Sequence, residues 1–214
     1  MNHLMTLLNQ TQSPEQFAER YFGYLSTLLQ RLDLSAIAAC IGVLETARQE
    51  QRTVFVAGNG GSASTAGHMA TDFGCGTQIA CPSAPLRIIA LTEQTATLTA
   101  VANDRDYADI FVSQLRLLSR PGDLLIVISA SGNSPNVVSA ASWVRAQGGK
   151  VLGLLGFDGG KLLDLCDVAV HVKTPPGEYG PVEDIHLMLN HLMTLWLRHR
   201  AGAPNSVGQP RALP

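Results

Sequence analysis

Five short apolar runs punctuate the chain: TVFVAG (53–58), RIIALT (87–92), DLLIVIS (123–129), KVLGLLGF (150–157) and VAVHV (168–172). They are rich in Val, Ile and Leu and barely alternate with polar residues, which predicts strands covered on both faces, as in a parallel sheet. Segments of helical character separate most of them, near 61–74, 94–102, 107–119, 135–147 and 160–165. Strand–helix alternation predicts an α/β sandwich with right-handed crossovers. Ahead of it, Ser13-Pro14-Glu15 reads as an N-cap with proline in the first helical turn. The helix that follows presents Phe17, Tyr21, Tyr24 and Leu28 on one face and Phe22, Leu25, Leu29 and Leu32 on a neighbouring one. That is more apolar surface than a lone surface helix needs, so a subunit contact is expected beside packing on its own domain. A second helix is expected over 33–50 and a last long one over 180–200, after Pro175-Pro176-Gly177. The expected division is a helical arm (1–50), an α/β domain (51–200) and a loose Gly/Pro-rich tail (201–214).

Composition narrows the class. Of 214 residues, 46% are hydrophobic and 15% charged, enough apolar content for a large core and too much for disorder. A net charge of -2 gives no basic field, so nucleic acid is not the expected partner. Cys40, Cys75, Cys81 and Cys166 form no CxxC pair and read as reduced packing residues of an intracellular protein. The N-terminus lacks the features of a secretory signal, and no apolar run is long enough to span a bilayer. The expected location is cytoplasmic, away from membranes.

Two loops carry the first chemical signal. The first strand ends in Gly58-Asn59-Gly60-Gly61-Ser62 and the third in Ser129-Ala130-Ser131-Gly132-Asn133-Ser134, each before a helix. In a parallel sheet both lie at the carboxyl ends of strands, where ligands bind. Glycines let the backbone approach an anion, and free N–H groups at a helix start donate to it. Neither loop holds a lysine, so neutral donors would carry a phosphate. There is no Walker lysine motif and no G-x-G-x-x-G. Glu93 follows the second strand, but about 35 residues after the first loop rather than the 20 or so of a dinucleotide fold.

A second signal is ionisable. His68 and Asp72 stand four apart and share a helical face. Glu183 opens EDIHLMLNH in the last helix, which also carries His186 and His191. His68, Asp72, Glu183 and His191 make an N2O2 set suited to zinc. Spacing alone leaves alternatives open: such a His/Asp pair is commonly a surface or capping pair, and acids favour a helix's first turn. Positions eight apart also lie about 80° apart in azimuth, so Asn190 aligns with Glu183 better than His191 does.

Taken in order, GNGGSASTAGHMATDF, ANDRDYADIF, GDLLIVISASGNSPNV and EDIHLMLNHLM resemble the sugar isomerase (SIS) domain, and most of all its phosphoheptose isomerase group, over roughly residues 15–200. The resemblance implies a three-layer sandwich with a five-stranded parallel sheet, a homotetramer with active sites between subunits, and a phosphosugar substrate. It implies phosphate binding by Ser129, Ser131 and Ser134, a sugar pocket lined by Asn59 and Ser62, and further substrate contacts from Gly60, Gly61, Glu93, Asn133 and Glu183. Asp72 and His191 take the catalytic positions, and His68, Asp72, Glu183 and His191 those that hold zinc, one per subunit, in some members. The implied reaction is ketose–aldose isomerisation of D-sedoheptulose 7-phosphate through an enediol, with one group as base and another as acid. Departures bear on the substrate. Asp72 replaces a glutamate, Glu183 a glutamine, Ala130 a threonine, Gly76 an arginine and Gly180 an aspartate. The competing expectations are a non-enzymatic SIS protein that binds the bacterial replication initiator, whose ANDR segment (Ala102 to Arg105) this chain shares, and a sugar-phosphate sensor. The retained acid at 72 and histidine at 191 favour the enzyme.

Overall fold

A computed structural model describes residues 2–202. In chain order the elements are α1 (His3–Asn9), α2 (Pro14–Gln30), α3 (Leu34–Gln49), β1 (Thr53–Gly58), α4 (Gly61–Ala80), β2 (Arg87–Ala90), α5 (Thr95–Asp104), a 3-10 turn (Tyr107–Asp109), α6 (Val112–Leu118), β3 (Leu124–Ser129), α7 (Pro135–Ala146), β4 (Lys150–Phe157), α8 (Gly160–Leu165), β5 (Val168–Lys173) and α9 (Tyr179–Gly202). The strands form one parallel sheet in the order β2-β1-β3-β4-β5. Alternate residues of the central strands enter two cores. Val54, Val56, Ile126 and Leu154 meet Leu28, Leu44, Met69, Phe73 and Leu189 on one face. Phe55, Val127 and Leu155 meet Phe111, Leu115, Val137 and Leu162 on the other. This is the expected three-layer sandwich with a five-stranded parallel sheet.

Some expectations change. β2 is not covered on both faces: Arg87 and Ile89 are exposed, because β2 lies at an edge and pairs only with β1. The helix expected over 107–119 is a 3-10 turn followed by the shorter α6. α1 was not expected; Asn2 caps it by accepting from Met5 N–H. α2 starts as foreseen, with Ser13 accepting from Gln16 N–H and Pro14 in the first turn. α2 and α3 bury Leu25, Leu28, Ile37 and Leu44 in the same core as the sheet. The expected loose tail falls almost wholly on 203–214, outside the described residues. Among the described residues no single helix is long and apolar enough to cross a membrane.

Candidate active site

Strand order reverses between β1 and β3, and the two glycine/serine loops leave the sheet side by side there, at the crevice where α/β sheets bind ligands. A paired amide contact joins them. Asn59 Nδ2 donates to Asn136 Oδ1 at 2.9 Å and Asn136 Nδ2 donates to Asn59 Oδ1 at 2.8 Å. Tyr107 O–H also donates to Asn59 Oδ1, at 3.1 Å. Asn136 and Tyr107 were missed from the sequence, since an amide beside a proline and a lone tyrosine carry no motif. Their partner across the crevice gives them meaning.

The 129–134 loop is built to keep its shape. Ser129 Oγ accepts from Gly132 N–H at 3.0 Å and Ser131 Oγ from Asn133 N–H at 3.3 Å. Gly132 has φ +64°, and a Cβ there would lie 1.9 Å from Gly159 O, so only glycine fits. Ser134 precedes α7 without a side-chain cap bond, which leaves its hydroxyl for a ligand beside the helix start. The Asn133 amide ties the loop down: its Oδ1 accepts from Lys161 N–H at 3.1 Å, at the start of α8, and its Nδ2 donates to Ser131 O at 3.0 Å.

α4 and α9 pack side by side and run in the same direction: Glu183 lies over Gly61, Asn190 meets Asp72, Arg198 lies over Gly76, and Gly202 sits beside Ala80. Glycine permits this approach; a Cβ at Gly76 would come within 2.9 Å of Arg198 Cδ. The pairing brings three predicted residues together. His68 Nε2 lies 3.1 Å from Asp72 Oδ2 and 3.3 Å from His191 Nε2, and His191 Nε2 lies 4.0 Å from Asp72 Oδ2. Ligands about 2.0–2.1 Å from a tetrahedral zinc are separated by about 3.3 Å; two of the three distances match and the His191–Asp72 one is wider, so the donor set suits the ion after a small closing movement and leaves a fourth position open. The facing nitrogens suit either an N–H of one ring donating to the lone pair of the other or two lone pairs turned toward one cation.

Glu183 does not join this group. Its carboxylate rests against Gly61, where a Cβ would meet Oε2 at 2.2 Å. The reason is helical geometry: eight residues of rise separate it from His191, about 12 Å along α9. Burial, with Asp184 nearby, raises the Glu183 carboxyl above the usual carboxylate range. Glu93, by contrast, lines one open pocket with Gly67, His68, Thr71 and Asp72. A Cβ at Gly67 would sit 2.7 Å from Glu93 Oε1, so this glycine makes room for the acid. Asn190, also missed, donates Nδ2 to Asp72 Oδ2 at 3.0 Å; its alignment with Glu183 on the face toward α4 was the available signal.

Residues 20–156 match the SIS domain family. The phosphoheptose isomerase of Aromatoleum aromaticum is 37% identical over 158 residues, covering 73% of this chain and 79% of that protein. That of Desulfovibrio desulfuricans is 38% identical over 175 residues, covering 82% and 78%. The structure of phosphoheptose isomerase from Neisseria gonorrhoeae superposes with a TM-score of 0.77 at 27% identity, over 87% of this chain and 100% of that one. The chain belongs to the SIS domain family, in its phosphoheptose isomerase group.

Proposed function

We propose that this protein isomerises D-sedoheptulose 7-phosphate to D-glycero-D-manno-heptose 7-phosphate through an enediol. The observation that carries the reading is the meeting of Asp72 with two imidazoles on helices that begin beside the anion-binding crevice. Seven residues, about 10 Å of helix, separate Gly61 from His68. A substrate held by its phosphate at one end can therefore place its carbonyl at the other. Ser129, Ser131 and Ser134 take the phosphate with backbone N–H groups. Asn59, Gly60, Gly61 and Ser62 contact the sugar, with Glu93 and Glu183 on either side of α4. Phosphate binding remote from the reacting carbons supplies orientation.

Asp72 and His191 divide the base and acid roles, moving a proton between the adjacent carbons of the enediol. His68, Asp72 and His191 would hold one zinc per subunit, and the ion when bound polarises the substrate carbonyl. The centre is half-open in a single chain, with the His191 side chain 54% exposed. Met188, Leu192, Leu195 and Trp196 form an exposed apolar stripe next to it on α9. That stripe supports a homotetramer whose neighbouring subunits close the sites, and sedimentation equilibrium reading a monomer would exclude it. Asp72→Asn tests the chemistry. Turnover is expected to fall about 100-fold to 10,000-fold while sedoheptulose 7-phosphate still binds. Unchanged turnover would remove Asp72 from the mechanism.

A further inference from the structure

The Asp72 carboxylate is held by a residue that the proposed chemistry does not use. Asn190, fully buried on α9 between Leu189 and His191, donates Nδ2 to Asp72 Oδ2 at 3.0 Å. The same oxygen lies 3.1 Å from His68 Nε2 and 4.0 Å from His191 Nε2. One carboxylate oxygen is thus fixed where the two imidazoles meet. The rest of the amide opposes folding: Oδ1 is buried and has no hydrogen-bond partner among the described residues. An orphaned buried acceptor destabilises, and an apolar side chain of similar volume would avoid it. Packing alone does not account for an amide at this position.

We infer that Asn190 is a positioning residue, whose amide locks the Asp72 carboxylate in the orientation that completes the His68, Asp72, His191 centre. An aspartate keeps its carboxylate close to its own helix, and a donor from the facing helix fixes the one orientation that points it at both rings. Groups that orient a ligating carboxylate set the affinity and activity of the centre. The inference rests on reading Asp72 as part of the reacting centre.

Asn190→Leu removes the donor and the orphaned acceptor together, so positioning and structural roles predict different results. The urea midpoint should be unchanged or higher. Zinc affinity of the metal-free protein, measured by competition with a chromophoric chelator, should fall about 10- to 100-fold. The kcat should fall with KM nearly kept, because the phosphate contacts sit on the 129–134 loop and the sugar contact on α9, Glu183, lies about two turns from Asn190. Asp72→Glu in the Asn190→Leu background, with its longer reach, should recover part of the lost kcat. Wild-type zinc affinity together with wild-type kcat in Asn190→Leu overturns the inference, and so does a loss of stability in step with the loss of activity. If the wild-type protein takes up no zinc, a selective fall in kcat still supports it and the metal reading alone fails. If zinc binds without turnover, the fall in affinity supports it and the isomerase reading fails. Neither uptake nor turnover in the wild-type protein overturns both.

Discussion

At the scale of single residues, the site depends on where side chains are withheld as much as on where they are supplied. Gly132 is the sharpest case, since a Cβ there would overlap Gly159 O at 1.9 Å, on backbone at φ +64°. Gly132→Ala is expected to lower stability by about 1–3 kcal/mol and to raise KM for the phosphosugar far more than it lowers kcat. A thermal melt and a substrate titration check this; unchanged values would mean that the loop yields easily. Charge is conspicuous in a sequence, which is why His68, Asp72 and His191 could be singled out before the fold brought them together. Asn133 was harder to read, because a polar residue in such a loop looks the same in sequence whether or not its amide ties the loop to the next helix, as it does here. Asn136 and Tyr107 were invisible because their partner lies more than forty residues away in the chain, and Asn190 showed only its helical alignment with Glu183.

Among elements, α9 is the organiser. It follows α4 along its length, supplies His191 and Asn190 to the centre, and anchors itself to the sheet through Val182, Ile185 and Leu189. The same helix carries a liability. His186 is fully buried and neither ring nitrogen has a hydrogen-bond partner among the described residues. Burial pushes its pKa down to about 4. The folded protein then keeps His186 neutral while the unfolded chain takes up a proton below about pH 6.5, so stability is present above that value and is lost on acidification toward pH 4. Between pH 7 and pH 5 this one group should remove about 2 kcal/mol. Urea unfolding at both values should show the wild-type protein losing about that much more than His186→Leu. Equal losses would mean that the ring is protonated inside the fold. The helix itself was legible from its place after Pro175-Pro176-Gly177, whereas Glu183 was not placed correctly. Its residue type suggested a ligand, and only the axial register of α9 against α4 decides that it meets Gly61 instead.

For the molecule as a whole, the parallel sheet and its two covered faces followed from five Val/Ile/Leu runs spaced by helices, since burial on both sides suppresses alternation. What the pattern could not supply was lateral order. Only the order β2-β1-β3-β4-β5 shows that β2 is an exposed edge and that the two glycine/serine loops are neighbours. That adjacency sets the two loops beside a His/Asp/His centre, the arrangement from which isomerisation of a heptose phosphate is proposed. The most direct test is turnover of sedoheptulose 7-phosphate by the purified protein as isolated, after chelation, and with zinc restored. Turnover is expected to disappear on chelation and to return with zinc. Turnover absent under all three conditions, in protein that remains folded and assembled, would contradict it.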